Sequence, residues 1–328
     1  MKELILAADI GGTMMRVAIA DSQGRIFEKT SAPVPRGPDA RDVLMKVVEL
    51  CDAISAKYGG RGSISKVSIA AIGPLDMVKG AIVRPANMPY DVVPIMDVLS
   101  DYFDATFILL NDCNAAAIAE KRIGVGKDVD DIVYITISSG IGGGAIVDGR
   151  LLLGKDGNAA EIGHMVVDMG TDMVCGCGKK GHWEAYCGGN SMPKFAKFLA
   201  EEKYSHVDST LVRKLRKDVQ TISAKDLFEY ARAGDSFALT FVNTIAEING
   251  IGVANVVDAF DPSVISIGGS VALNNVDLVV ERLKPFVEKY ALNRVPQIVS
   301  TPLGHDAPLL GAVLAAIEPP PKSIFRAL

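Results

Sequence analysis

The sequence predicts an α/β protein of two domains that uses one structural motif twice. Three observations carry that expectation. The chain has 328 residues, 49% of them hydrophobic, enough for two cores. Short β-type apolar runs alternate with helical ones. A strand, a glycine turn and a returning strand occur near the start and recur about a domain's length later.

The first such unit spans Leu4 to Asp21. Leu4-Ile5-Leu6-Ala7-Ala8 is an apolar run, Asp9-Ile10-Gly11-Gly12-Thr13 is the turn, and Arg16 to Asp21 returns. A helix is expected at about Asp39 to Lys57, with Val43, Leu44, Val47, Val48 and Leu50 on one side. Lys66 to Ile72 and Phe107 to Leu110 read as buried strands. The second of these ends at Asn111-Asp112, and a helix is expected over Asn114 to Glu120. The motif recurs as Ile132 to Ile137, the turn Ser138 to Gly144, and Ala145 to Gly149. Ser191 to Asp235 is charged and helix-like and reads as a peripheral insertion. Val264 to Ile267 is a further strand, running into Gly268-Gly269-Ser270. The last helix, Pro308 to Ile317, precedes Pro319-Pro320-Pro321, which cannot continue it, so the tail beyond is expected to be loosely held.

Composition excludes several functions. The net charge is −5 with the two signs interspersed, so no basic nucleic-acid surface is expected. Met1 to Leu6 is too short an apolar run for a signal peptide, and no stretch approaches the roughly 18 uninterrupted apolar residues of a membrane helix. Five cysteines, three of them within Cys175 to Cys187, suit metal binding in a reducing compartment better than a disulfide framework, so the cytoplasm is expected.

Glycine turns cradle phosphate because bare backbone N–H groups can be aimed at an anion without side-chain bulk. In the first turn, Asp9 is placed to hold Mg²⁺ through water, Gly11 and Gly12 to supply N–H groups, and Thr13 to reach a phosphate oxygen. A tight hairpin alone would look similar. The second turn, Ser138-Ser139-Gly140-Ile141-Gly142-Gly143-Gly144, has four glycines in seven residues, which is entropically costly and points to a ligand at Ser139 and Gly140. Gly140 to Ala145 also fits the dinucleotide fingerprint GxGxxA. That reading fails because a β-branched strand follows where a helix is required.

Cys175 and Cys177, with His182 five residues on and His164 eleven residues before Cys175, offer four ligands of the kind Zn²⁺ takes in a tetrahedral structural site. Cys187 is an alternative to His182 as the fourth ligand. Cys51 and Cys113 read as ordinary buried thiols.

Taken together these segments resemble the ROK family of sugar kinases and sugar-sensing repressors. The anchors are Asp9 to Thr13, Gly73-Pro74, Asn111-Asp112, Ser138 to Gly144, Glu161-Ile162-Gly163-His164 and Cys175 to Glu184. The resemblance implies a two-lobed actin-like ATPase fold, ribonuclease H-like in each lobe, with a cleft between lobes. The small lobe would comprise 1–115 plus 312–328, and the large lobe, with the zinc loop and adenosine site, 116–311. The family's repressors carry an N-terminal helix-turn-helix domain, for which the segment before Asp9 leaves no room; that favours an enzyme.

The resemblance also implies roles. Asp112 is the expected catalytic base, although an aspartate before a helix is also a common cap. Asn87, Asn111, Asp112, Gly140, Glu161, His164 and Glu184 would line the sugar site. The family commonly has a Pro-Asn pair near Asn87 with a tryptophan after it, where this chain reads Pro85-Ala86-Asn87-Met88-Pro89-Tyr90. Gly268 and Gly269 match the adenosine turn. His164 would serve the metal with one ring nitrogen and a sugar hydroxyl with the other. The family usually has cysteine where this chain has His182. The expected activity is transfer of the γ-phosphate of ATP to the 6-hydroxyl of glucose or an N-acetylhexosamine, using Mg²⁺ and structural Zn²⁺, in a homodimer or homotetramer. N-acetylmannosamine is the alternative acceptor, and a non-catalytic sugar-sensing regulator is the alternative class.

Overall fold

The computed structural model describes residues 4–326. Met1–Glu3 and Ala327–Leu328, the outermost residues of the expected small lobe, lie outside the described residues. Along the chain, β1 (Leu4–Ile10), β2 (Met14–Asp21) and β3 (Ile26–Pro33) precede α1 (Arg41–Ser55) and β4 (Ile64–Ala71). Next come β5 (Leu75–Asp76), β6 (Ala81–Val83), β7 (Val92–Val93), α2 (Ile95–Leu99), β8 (Thr106–Asn111) and α3 (Asp112–Ile123). Then follow β9 (Ile132–Ile137), β10 (Ile141–Val147), β11 (Arg150–Leu151), α4 (Glu184–Cys187), α5 (Met192–Phe198), α6 (Thr210–Lys217), α7 (Ala224–Arg232) and α8 (Ser236–Phe260). The chain ends in β12 (Val264–Gly268), α9 (Ser270–Asn274), α10 (Val280–Tyr290), β13 (Gln297–Ser300), α11 (Ala307–Ile317) and β14 (Ile324–Arg326).

Two compact units emerge. The first comprises Met1–Asp130, Gly144–Ala160 and His305–Leu328. Its main sheet has the order β14-β8-β4-β1-β2-β3. β1 is buried along its whole length because both of its faces are covered. Leu6, Ala8 and Ile10 enter one core together with α1, while Ile5 and Ala7 enter the other together with Leu309, Ala312 and Val313 of α11. The expected boundaries at 115/116 and 311/312 fall inside α3 and α11. Both helices stay whole within this unit and pack so closely that a Cβ on Gly311 would lie 1.7 Å from the Ala115 carbonyl oxygen.

Several expectations shift by a few residues. Asp9 and Ile10 belong to β1 rather than to the turn, since they pair with Arg16 and Met15 on β2. The helix after β8 begins at Asp112, two residues early, because the Asn111 side chain caps it. The tail is not loose: Ser323 is buried, and β14 pairs antiparallel with β8. In the second turn only Ser138–Gly140 lies outside strands, and the glycines from Gly142 onward belong to β10.

The second unit comprises Asp131–Gly143 and Glu161–Gly304. Here β12 lies between β9 and β13, parallel to both. Its long helix α8 is apolar enough, by length and composition alone, to cross a membrane. Phe241, Ile245, Asn249, Val253 and Val257 bury it against the unit's other helices instead. The stretch 191–235 is not peripheral. Charged residues cover its outer side, but Phe195, Leu211, Leu215, Leu227 and Phe228 are core residues.

Candidate active site

In the first unit the candidate site residues leave one edge of the sheet. β1, β4 and β8 are parallel neighbours, and their registers set Ile10, Ala71 and Asn111 abreast. The segments that follow, Gly11-Gly12-Thr13, Gly73-Pro74 and Asp112, therefore emerge together at the carboxyl ends of the strands, where open α/β sheets bind ligands. Gly12 is needed for close approach, since a Cβ there would meet the Asn87 Cβ at 2.8 Å. Arg36 ties the same two segments together, donating to the carbonyl oxygens of Gly12 at 2.5 Å and Asn87 at 3.2 Å. Thr13 is exposed.

Asp9 is 3% exposed, and its Oδ2 accepts from Arg16 Nη1 at 2.9 Å. Burial nevertheless outweighs the guanidinium and raises the Asp9 pKa from 3.8 to about 6. At the start of α3, Asn111 Oδ1 accepts from the backbone N–H groups of Cys113 (2.9 Å) and Asn114 (3.3 Å). Capping is thus Asn111's task, while Asp112, the first helical residue, also accepts from Cys113 N at 2.8 Å.

The second unit repeats the arrangement. Gly268 on β12 is in register with Thr136 on β9, so Ser138-Ser139-Gly140 and Gly269-Ser270 leave one edge. Their hydroxyls meet there, Ser138 Oγ to Ser270 Oγ at 3.0 Å. Gly269 has φ +89°, and a Cβ would strike the Ile137 carbonyl at 2.5 Å, so glycine is required twice over. Beside these turns opens a cavity of about 630 Å³, lined by Ser139, Asn190, Ser223, Phe228, Arg232 and Ser270 among others. Its volume suits a nucleoside-sized ligand. Arg232 is fixed by two 2.8 Å bonds to Asp277.

Glu161, His164 and Glu184 form a second cluster in this unit. Glu184 is 7% exposed; its Oε2 accepts from Ile141 N at 2.8 Å, and its Oε1 lies 3.4 Å from Cys175 Sγ. Glu161 Oε2 stands 3.8 Å from His164 Nε2, and burial raises the Glu161 pKa against the opposing pull of His164. His164, Cys175, Cys177 and His182 converge, with their ligand atoms within 4.8 Å of one another. His164 Nδ1 is 3.2 Å from His182 Nδ1, Cys175 Sγ is 3.7 Å from His164 Nδ1, and Cys177 Sγ is 3.3 Å from His182 Nδ1. A tetrahedral zinc ion with ordinary bond lengths requires edges of about 3.3 Å between nitrogens and about 3.6 Å between nitrogen and sulfur. Three of the six separations lie close to these edges and all fall within 4.8 Å, so the donor set and its spacing are of the kind that holds this ion. Cys187 is not among them: its buried thiol, raised well above its usual pKa by desolvation, lies 3.7 Å from the Ile245 carbonyl oxygen.

The family model for ROK matches residues 5–318. The chain belongs to the ROK family. Among curated relatives, a glucokinase from Aeropyrum pernix is 36% identical, with 96% of this chain and 97% of that one aligned. An N-acetylmannosamine kinase from Salmonella heidelberg is 31% identical over 95% of this chain and 97% of its own length. The crystal structure of a ROK glucokinase from Streptomyces griseus in complex with glucose and AMPPNP superposes with a TM-score of 0.75 at 30% identity, covering 95% of this chain and 99% of that one. The chain has the two-lobed, actin-like α/β fold of the ROK kinases.

Within this ROK fold, sequence reasoning missed Arg16, Arg36 and the cavity wall from Ile222 to Arg232. Arg16 faces Asp9 only through strand register, and Arg36 reaches Gly12 through a loop. The cavity wall carried a signal, the capping pair Ser223 and Asp226 ahead of Leu227 and Phe228.

Proposed function

We propose that this protein is an ATP-dependent hexose kinase that transfers the γ-phosphate to the 6-hydroxyl of its sugar. Glucose is the first expected acceptor and N-acetylmannosamine the second. One observation carries the reading: the glycine turn after β1 and the carboxylate opening α3 leave the same sheet edge in register. Proton acceptor and phosphate cradle are then fixed by one rigid element.

In the proposed reaction the sugar oxygen attacks the γ-phosphorus. An O–P bond forms, the bond to the bridging β–γ oxygen breaks, ADP leaves, and the hydroxyl proton passes to Asp112. Gly11, Gly12 and Thr13 donate to phosphate oxygens, and Asp9 would hold Mg²⁺. When bound, Mg²⁺ neutralises phosphate charge. Asn87, Asn111, Gly140, Glu161, His164 and Glu184 orient the sugar hydroxyls. Ser139, Gly140, Gly268 and Gly269 hold the nucleotide, its adenosine in the cavity beside α7. His164, Cys175, Cys177 and His182 would hold zinc as a closed ligand set, and the ion would fix the loop that carries the sugar contacts. We further assign the protein to the cytoplasm, in keeping with five free thiols, and to a homodimer or homotetramer, which sedimentation will test.

The test is ADP release with glucose, N-acetylmannosamine and N-acetylglucosamine compared side by side. Asp112→Asn should lower kcat by about 10²–10⁴-fold while leaving sugar affinity nearly unchanged. Unaltered turnover in that variant refutes the base assignment, and no sugar-dependent ADP release in the parent protein makes it a regulator.

A further inference from the structure

We propose that Asn249, in the middle of α8, is a positioning residue that acts through Trp183 on both the metal loop and the sugar-facing Glu184. This inference rests on the kinase reading for the role of Glu184, but its geometry stands alone. Trp183 is the chain's one tryptophan and is completely buried. It lies between His182, whose Nδ1 joins the cysteine and histidine quartet, and Glu184, whose Oε2 accepts from Ile141 N. Whatever fixes the indole fixes the backbone on both sides of it.

Two features of α8 make a socket for that ring. Asn249 Oδ1 accepts from Trp183 Nε1 at 2.8 Å, with both residues 0% exposed. Three residues on, hence on the same helical face, Gly252 leaves the space the indole occupies. A Cβ there would lie 2.3 to 2.6 Å from three of its ring atoms. At the other end of the segment, Trp183 N donates to Met165 O at 3.0 Å, next to His164.

The socket retains a penalty. Among the described residues, Asn249 Nδ2 is buried with no hydrogen-bond partner. A helix core gains nothing from an amide half-satisfied in this way, and an apolar pair, leucine at 249 with phenylalanine at 183, would fill the same site without an orphaned donor. The asparagine makes sense as an acceptor that selects one orientation of the indole. Residues behind metal ligands typically change affinity by about 10–100-fold when removed.

The experiment compares Asn249→Leu, Trp183→Phe and the double variant. Asn249→Leu should raise the KM for sugar about tenfold, leave the KM for ATP within about twofold, and speed zinc loss to a chelator about tenfold. Its tryptophan emission should shift as the indole loses its fixed partner. Because both changes delete one hydrogen bond, the double variant should be no worse than the poorer single. Trp183→Phe, which keeps a ring in the socket and removes only the donor, should show the same losses and carries the test if Asn249→Leu does not fold. Parent-like zinc retention, sugar KM and emission in Asn249→Leu would overturn the proposal, as would additive losses in the double variant. Zinc release needs no turnover, so the proposal is judged even if the parent shows no kinase activity.

Discussion

Asp9→Asn replaces a buried carboxylate with its neutral isostere and should stabilise the protein while disabling it. The Asp9 pKa of about 6, raised from 3.8 by burial, means that between these values the folded chain keeps a proton the unfolded chain has released. The resulting advantage of the folded state is complete below the unfolded value. It is lost as pH rises through the folded one, leaving the ionised form to weigh against folding by about 3 kcal/mol at neutral pH. Asparagine cannot ionise. The stability of the variant relative to the parent should therefore grow by about 3 kcal/mol between about pH 3 and pH 7.5. For a cooperative unit of this size that is roughly 6–12 °C in Tm. Thermal unfolding of both proteins across that range is the assay, and taking the difference cancels the titration of every other group. A difference that stays flat, or moves in the parent's favour with rising pH, would show that the Arg16 ion pair outweighs burial and refute the reasoning. Over the same range the parent's kcat/KM should fall as pH drops below about 6, since a protonated Asp9 no longer attracts Mg²⁺.

Two further outcomes follow from the other unit. Elemental analysis should find near one zinc per chain, and its removal by chelation should raise the sugar KM at least about tenfold while sparing ATP; full sugar affinity in metal-free protein would separate the quartet from substrate binding. Gly268→Ala drives a Cβ to 2.2 Å from the Tyr134 hydroxyl. It should cost roughly 1–3 kcal/mol of stability and weaken ATP more than sugar, as steady-state kinetics on each substrate will show.

The fold was legible where burial is extreme. β1 reads as a strand because both its faces are covered, so nearly every residue is apolar. The convergence of His164, Cys175, Cys177 and His182 was legible because these residues are close in sequence. What could not be read was register and tertiary facing. Nothing in the chain pairs Arg16 with Asp9 until β1 and β2 are aligned, and nothing marks Asn249 and Gly252 as a seat for Trp183 until α8 is packed. The misplaced insertion, 191–235, shows the complementary limit: surface charge marks the outer half of a helix and conceals the cavity wall on its inner half. Asn111 was expected at the sugar and caps α3 with its carbonyl oxygen, a division of labour with Asp112 that sequence could not apportion.

The pairing of β14 with β8 bears on how the protein should be handled. Without that short terminal strand, β8, the strand that delivers Asp112, would be the rim of the sheet, its main-chain donors and acceptors open to any extended peptide. Truncation after Ile317 should therefore promote aggregation before it touches chemistry, and purification tags belong at the amino terminus.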